Sequence, residues 1–180
     1  MVSVSVTWYG QSGFRLAAGD SQVLIDPFLT DRDDRHYPPP ASAADFTDVT
    51  LVLCTHEHVD HLDLPFLREF CTVNPQARIV VPAPVVEIAA GAGVDRARLA
   101  GAASGEKVRE SAGIVGNMNE TEAAWLCAQV RPSYVIPMHY DAIKGNTGEP
   151  GHFTTMVHRS GGAAAILIPA RARPAAVTLP

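Results

Sequence analysis

Residues 51–63 read L-V-L-C-T-H-E-H-V-D-H-L-D. The first four, Leu51 to Cys54, form a short continuous apolar run, the pattern of a strand covered on both faces. His56, His58, Asp60 and His61 then fall within six positions. A buried strand delivers the residues after it to the sheet edge, where ligand sites of α/β proteins form. In an extended segment residues two apart share a face, so His56 and His58 can grip one metal ion together. Asp60 and His61 come where the chain must turn, and address a second ion beside the first. Imidazole and carboxylate suit Zn, Fe or Mn, and no thiolate cage accompanies them. Isolated loop histidines are commonly just half-exposed polar groups. Three His and one Asp at the mouth of a buried strand are too dense for that reading.

The flanking chain builds a sheet around this stretch. Residues 2–9 alternate as a half-exposed strand, Gly10 and Gly13 bracket a turn, and residues 13–17 begin the partner strand. Gly19-Asp20 turns the chain into residues 22–25, the third strand of an antiparallel meander, ending at Asp26-Pro27. Asp26 is placed to hold the metal loop or to orient a ligand imidazole. Charge, prolines and small residues make 30–47 a loop rather than an element. His36 within it reads as a solvated side chain. Residues 64–71 carry Leu64, Leu67, Phe70 and Cys71 at helical spacing, and Asn74-Pro75 stops that helix. Residues 78–81 form a buried strand closed by Pro82, and 84–92 a helix with Val85, Ile88 and Ala89 inward.

In the second half, Asn119 with Glu122 three residues on resembles an N-cap and its reciprocal partner. That helix runs to about Val130, with Ala123, Leu126, Cys127 and Val130 inward. Residues 133–137 read as a buried strand that carries His139 to its carboxyl end, the same strand-then-His arrangement as before. Tyr140 and Asp141 come next, within reach of a substrate. A helix over 150–158 bears surface His152 and His158, and 163–168 is the last strand before a Pro- and Arg-containing tail.

With 180 residues, 47% of them hydrophobic, the chain is most simply one domain, 1–180, with a full core. A net charge of −5 supplies no basic field for nucleic acid and no polybasic segment for a membrane. No run approaches the length of a membrane-spanning helix. The N-terminus alternates like a strand and lacks the pattern of a signal peptide. Cys54, Cys71 and Cys127 sit in apolar contexts, which implies free buried thiols and a cytoplasmic protein.

T-H-E-H-V-D-H at 55–61 matches the H-x-H-x-D-H signature of the metallo-β-lactamase superfamily. T-W-Y-G-Q-S-G at 7–13, L-I-D-P at 24–27 and V-I-P-M-H-Y at 135–140 agree with it. G-N-M-N-E-T-E-A at 116–123 and G-N-T-G-E-P at 145–150 resemble the branch containing L-ascorbate-6-phosphate lactonase and its metal-dependent hydrolase relatives. The resemblance implies an α/β fold, the αββα sandwich, and a hydrolase that attacks a lactone, ester or phosphoester with a metal-bound water. Its substrate would be a small molecule. Asp60 would orient the water, and His56, His58, Asp60, His61 and His139 would hold one or two ions, Zn or else Mn or Fe.

One interval departs from the family. Between the equivalents of Val108 and Gly116 the family carries a third His for the first ion and a bridging Asp in a Gly-Asp turn. Here no His and no Gly-Asp pair occurs between His61 and His139. The first ion keeps only His56 and His58, whereas Asp60, His61 and His139 remain a workable set for the second. The second half of the sandwich is accordingly shortened. The alternative reading is a catalytically reduced member acting as a metal-binding or interaction protein. A sheet edge or apolar face left uncovered predicts a homodimer.

Overall fold

The first strand, read as half-exposed, faces solvent at Ser3 but is buried on both faces from Val6 through Tyr9. In the computed structural model, which describes residues 2–102, 118–146 and 148–179, that strand is β1 (Val2–Gly10). It pairs antiparallel with β2 (Gly13–Ala18), which pairs antiparallel with β3 (Ser21–Ile25). From there the sheet turns parallel: β4 (Leu51–Leu53), β5 (Arg78–Pro82) and β6 (Leu99–Ala102) are added in order. The interval 106–116, read as lacking the family's further ligands, lies outside the described residues.

The far edge of the sheet corrects the sequence reading. The tail takes part as β9 (Pro174–Leu179), antiparallel to β1 from Val2↔Leu179 to Thr7↔Pro174. Pro174 argues for an irregular tail in the sequence. It sits at the first position of an edge strand, the place in a sheet where a missing N–H costs least. The order is β6-β5-β4-β3-β2-β1-β9.

The principal core fills one face of this sheet. Leu24, Val52, Ile79 and Val81 meet Phe66, Leu67 and Phe70 of helix α1 (Leu64–Val73), all buried. Asn74 ends α1, and its side-chain amide donates to Phe46 O and Val49 O. The 30–47 stretch is not loop throughout, because Ala43–Phe46 forms a 3-10 helix. Phe46, fully buried, sets its ring edgewise to Tyr9 and Phe66.

After β5 a 3-10 turn (Ala83–Val85) precedes α2 (Val86–Gly91), and the inward residues are Val85, Val86 and Ala89. Ile88, read as inward, is 60% exposed. The tighter 3-10 turn rotates the helix face relative to a continuous α-helix.

The second half is thinner. α3 (Glu120–Val130) opens with the predicted capping box at Asn119 and Glu122 and closes on Arg131 in the left-handed conformation. It packs on α4 (Pro150–Arg159) around Ala124, Cys127, Phe153 and Val157. Among the described residues α3 packs on one helix and buries a narrow stripe. Leu126 and Val130, expected inward, are exposed and Ala124 is buried instead. The strand expected over 133–137 is only β7 (Tyr134–Val135), paired in parallel with β8 (Ala165–Ile166), itself shorter than the 163–168 strand expected. A two-strand ladder has no third strand to extend it. His152 and His158 are exposed on α4 as expected. All three cysteines are free, and burial raises the pKa of the Cys54 and Cys127 thiols. Among the described residues no helix is long and apolar enough to cross a membrane.

Candidate metal centre

The chain leaves the sheet at the carboxyl ends of β3 and β4, and one carboxylate organises the exit. Asp26, 3% exposed, accepts from Thr55 N and Thr55 Oγ1 at 2.7 Å each and lies 2.8 Å from His61 Nδ1. The amides of His61 and Leu62 both donate to His58 O, which closes a tight turn and brings Asp60 and His61 back over the strand ends. Asp63 pins the far side of that turn. It caps α1 at Phe66 N and accepts from Leu29 N, Thr30 N and Thr30 Oγ1.

His139 arrives from the segment after β7, and its amide donates to Gln11 O at 3.1 Å. Its Nε2 then lies 3.0 Å from His61 Nε2, and its Nδ1 3.6 Å from Asp60 Oδ2. Asp60 Oδ2 is 3.7 Å from His61 Nε2. One donor atom from each of Asp60, His61 and His139 lies within 4.8 Å of the others. Ligands of a tetrahedral zinc ion at normal bond lengths stand about 3.3 Å apart; the donor set fits such an ion in chemistry, and the separations of His61 Nε2 from Asp60 Oδ2 and from His139 Nε2, 3.7 and 3.0 Å, bracket that spacing. His61 is held from behind by a carboxylate, as metal-bound imidazoles usually are.

Electrostatics lower the pKa of two of these donors, Asp60 and His139. Burial pushes the Asp60 carboxyl up, but the Gln11 hydrogen bond and the adjacent His61 and His139 bring it below the ordinary value. Burial lowers the pKa of His139, against the opposing pull of Asp60. His56 is lowered too, by burial and then by neighbouring His61 and His58.

The remaining sequence-derived residues are placed differently. His56 and His58 do not share a strand face, because β4 ends at Leu53 and both sit in a bend. Their rings are 4.7 Å apart, with the His56 ring 3.8 Å from that of His61, and His58 exposed. They flank the trio on its solvent side. Tyr140 stacks on Trp8 at 4.6 Å, and Asp141 turns outward to Arg171 at 3.2 Å. His36 is exposed.

Gln11, Ser12, Thr55 and Asn146 each fall within a quoted family motif, but the sequence alone assigns them no role. Gln11 Nε2 lies 2.9 Å from both Asp60 Oδ2 and His139 Nδ1, while its Oε1 accepts from Asn146 Nδ2. Ser12 Oγ donates to Asp26 O and Asp60 O. None of these has a period or a spacing to announce it. One backbone feature does gather at the site: Gln11, Asp26, His139 and Asp141 all have positive φ, a costly conformation that concentrates at functional positions.

Two cavities border the region. A groove of about 900 Å³ between Pro39–Ser42 and α1 contains none of the trio. A smaller pocket of about 560 Å³ opens at His139 and Tyr140 and is walled by Leu126, Val135, Met138 and Phe153.

The sequence pattern of the β-lactamase superfamily domain matches residues 21–112, just over half of the chain. The chain belongs to this family. The matched span includes Asp26 and the whole 56–61 cluster. Among curated relatives, a UPF0173 metal-dependent hydrolase of Chelativorans is 44% identical over 61 residues, covering 33% of this chain and 24% of that protein. Another from Nitratidesulfovibrio vulgaris is 43% identical over 83 residues, covering 42% and 33%. An N-acyl-phosphatidylethanolamine-hydrolyzing phospholipase D of Caenorhabditis elegans is 29% identical over 84 residues, covering 42% and 24%. The matches thus span a quarter to a third of the relatives' length. A solved metallo hydrolase from Ignicoccus hospitalis superposes with a TM-score of 0.73 at 16% identity, covering 99% of this chain and all of that one. An isothiocyanate hydrolase from Delia radicum gut bacteria gives 0.66 at 13%, covering 95% and 98%. At such identities the likeness is one of fold, and it bears out the α/β metallo-β-lactamase-like architecture.

Proposed function

We propose that the chain is a metal-dependent hydrolase acting on a small-molecule ester, lactone or phosphoester, with lactones suggested by its sequence likeness to the ascorbate-phosphate lactonase branch. The observation that carries this reading is the convergence of Asp60, His61 and His139 from two strand ends, with Asp26 behind His61. Zinc suits that set best, with Mn or Fe as alternatives. A metal ion held by these residues would supply Lewis-acid chemistry, acidifying water and polarising the scissile carbonyl or phosphoryl oxygen. His61 and His139 would hold it through imidazole nitrogens, and Asp60 through a carboxylate that would also orient the attacking water. The pocket beside His139 is apolar enough to take the hydrocarbon part of a substrate. His56 and His58 stand where they can bind a second ion weakly.

The test is turnover of aryl ester, lactone and phosphodiester panels before and after chelation. Loss of activity on chelation, restored by about one equivalent of zinc or manganese per chain, is expected. Activity untouched by chelator ends the reading.

The second reading, an interaction protein without turnover, is favoured by one observation. Trp125 and Val130 on α3 are 64% and 65% exposed. An apolar face of this kind tends to pair with a second copy. Sedimentation is expected to show a homodimer at micromolar concentration that Trp125→Asp converts to monomer. A wild-type monomer at all concentrations sinks this prediction.

A further inference from the structure

The pocket beside His139 narrows the substrate further than the metal centre does. We propose that the substrate is a neutral aliphatic lactone or carboxylic ester whose hydrocarbon chain lies in this pocket, and that Leu126 sets the chain length it accepts. This inference rests on the hydrolase reading given above. The cavity, about 560 Å³, is of the size that takes a small organic ligand. Cys127 and Phe153 line it from within the contact of α3 with α4, and both are buried. Met118, Leu126 and Met138 also line it, and these three large apolar side chains are exposed. Apolar groups left to water around a concave surface gain when an apolar occupant covers them. His139 belongs both to the pocket wall and to the metal trio, so the occupant is a molecule that reaches the reaction centre.

Charge selects against an anionic substrate. Among the described residues that line the pocket there is no Lys or Arg, and the acids are Glu120 and Glu149. The Glu149 amide donates to Glu120 Oε1 at 2.9 Å and holds that carboxyl below its ordinary range, so it is ionised at neutral pH. A helix start commonly welcomes an anion, but here the first amides are already taken. At α3, Thr121 N and Glu122 N donate to Asn119 Oδ1, and Asn119 N donates to Glu122 Oε2. At α4, Pro150 has no N–H, and the amide before it is the one bound to Glu120. A phosphate or carboxylate on the substrate's tail would face two carboxylates without a cationic partner, whereas an uncharged chain meets no such penalty. The pocket thereby parts from the phosphorylated lactone for which the similar branch is named. The thioether chains of Met118 and Met138 adapt to tails of different shape, and the branched Leu126 bounds them.

The test is kcat/KM of the zinc-loaded protein for p-nitrophenyl acetate, butyrate, hexanoate and octanoate, and for γ-lactones with alkyl tails of increasing length. The p-nitrophenyl monoester of adipate serves as the carboxylate-ended counterpart of the hexanoate. Burial of each methylene is expected to raise kcat/KM roughly fourfold up to the length the pocket holds. The adipate ester is expected to be at least ~tenfold poorer than the hexanoate. Leu126→Trp moves the best substrate to a shorter chain and Leu126→Ala to a longer one, whereas a side chain that only supported the fold would lower all chain lengths alike. If turnover is abolished by chelator but is flat across chain lengths, or the adipate ester is the better substrate, the assignment is wrong and the hydrolase reading stands. The same holds if both Leu126 variants keep the wild-type optimum. If no ester or lactone is turned over in a chelator-sensitive way, the hydrolase reading fails and the assignment with it.

Discussion

Asp63→Ala is expected to lower the melting temperature of the metal-free protein by roughly 10 °C, although Asp63 contributes no donor to the metal centre. The side chain is 1% exposed and fully engaged. It accepts from Leu29 N at 2.9 Å, Thr30 N at 2.8 Å, Thr30 Oγ1 at 2.5 Å and Phe66 N at 3.2 Å. Loss of a helix N-cap alone costs about 1 kcal/mol. The amides of Leu29 and Thr30, deprived of their partner, cost about 1–3 kcal/mol each where water cannot reach them. A total near 4 kcal/mol is expected, and in a chain of this size each kcal/mol moves the midpoint by about 2–4 °C. Asp63→Asn keeps one oxygen for Phe66 N and Thr30 Oγ1 but turns an NH2 toward the Leu29 and Thr30 amides, so about half the loss is expected. Thermal melts followed by circular dichroism read both shifts. A change below 3 °C in Asp63→Ala would show that this carboxylate does not hold the β3 exit to α1.

Asp63 also illustrates how unevenly the fold is legible in the sequence. α1 can be read because Leu67 and Phe70 keep helical spacing and Asn74-Pro75 marks its end. The Asn119–Glu122 capping box and the β1–β2–β3 meander are local patterns of the same kind. Patterns whose meaning depends on distant partners read poorly. Nothing in P-A-A-V-T-L says that the chain's end returns to pair with its beginning, since that contact spans almost the whole sequence. Val130 sits at apolar helical spacing on α3, yet no element covers it among the described residues. Periodicity reports which face is apolar, whereas burial also requires a neighbour.

The same division runs through the candidate centre. Asp60, His61 and His139 are legible because imidazole and carboxylate after a strand carry their chemistry in their identity. Asp26 is legible from its place at a strand end. Gln11 and Thr55 are not, because an amide or hydroxyl gains its meaning only from what lies 2.7–2.9 Å away in the fold. His56 and His58 come together through a bend rather than along a strand face, with ring centroids 4.7 Å apart. Residues two apart share a face only within a strand, and the ladder has already ended at Leu53.

Asp26→Asn is expected to lower zinc affinity by about 10- to 100-fold while leaving the metal-free fold nearly as stable as wild type. The reason lies in proton placement. A carboxylate only accepts hydrogen bonds, so Asp26 Oδ2 at 2.8 Å requires His61 Nδ1 to carry the ring proton. That leaves the lone pair on His61 Nε2, the atom facing His139 and Asp60. An Asn side chain keeps Oδ1 for Thr55 N and presents NH2 to His61, which now favours a bare Nδ1 and a protonated Nε2. The ring remains in position with its proton on the atom that would bind the ion. Asn also tolerates φ 44°. Asp26→Ala, by contrast, strands the Thr55 amide and places alanine in the left-handed region, for a combined cost of about 3 kcal/mol. The two substitutions thus separate what Asp26 does for the ion from what it does for the fold. Chelator competition and metal-free melts are the measurements. Equal zinc affinity in wild type and Asp26→Asn would mean that His61 does not bind through Nε2. An Asp26→Asn protein as unstable as Asp26→Ala would mean that Asp26 serves the turn alone.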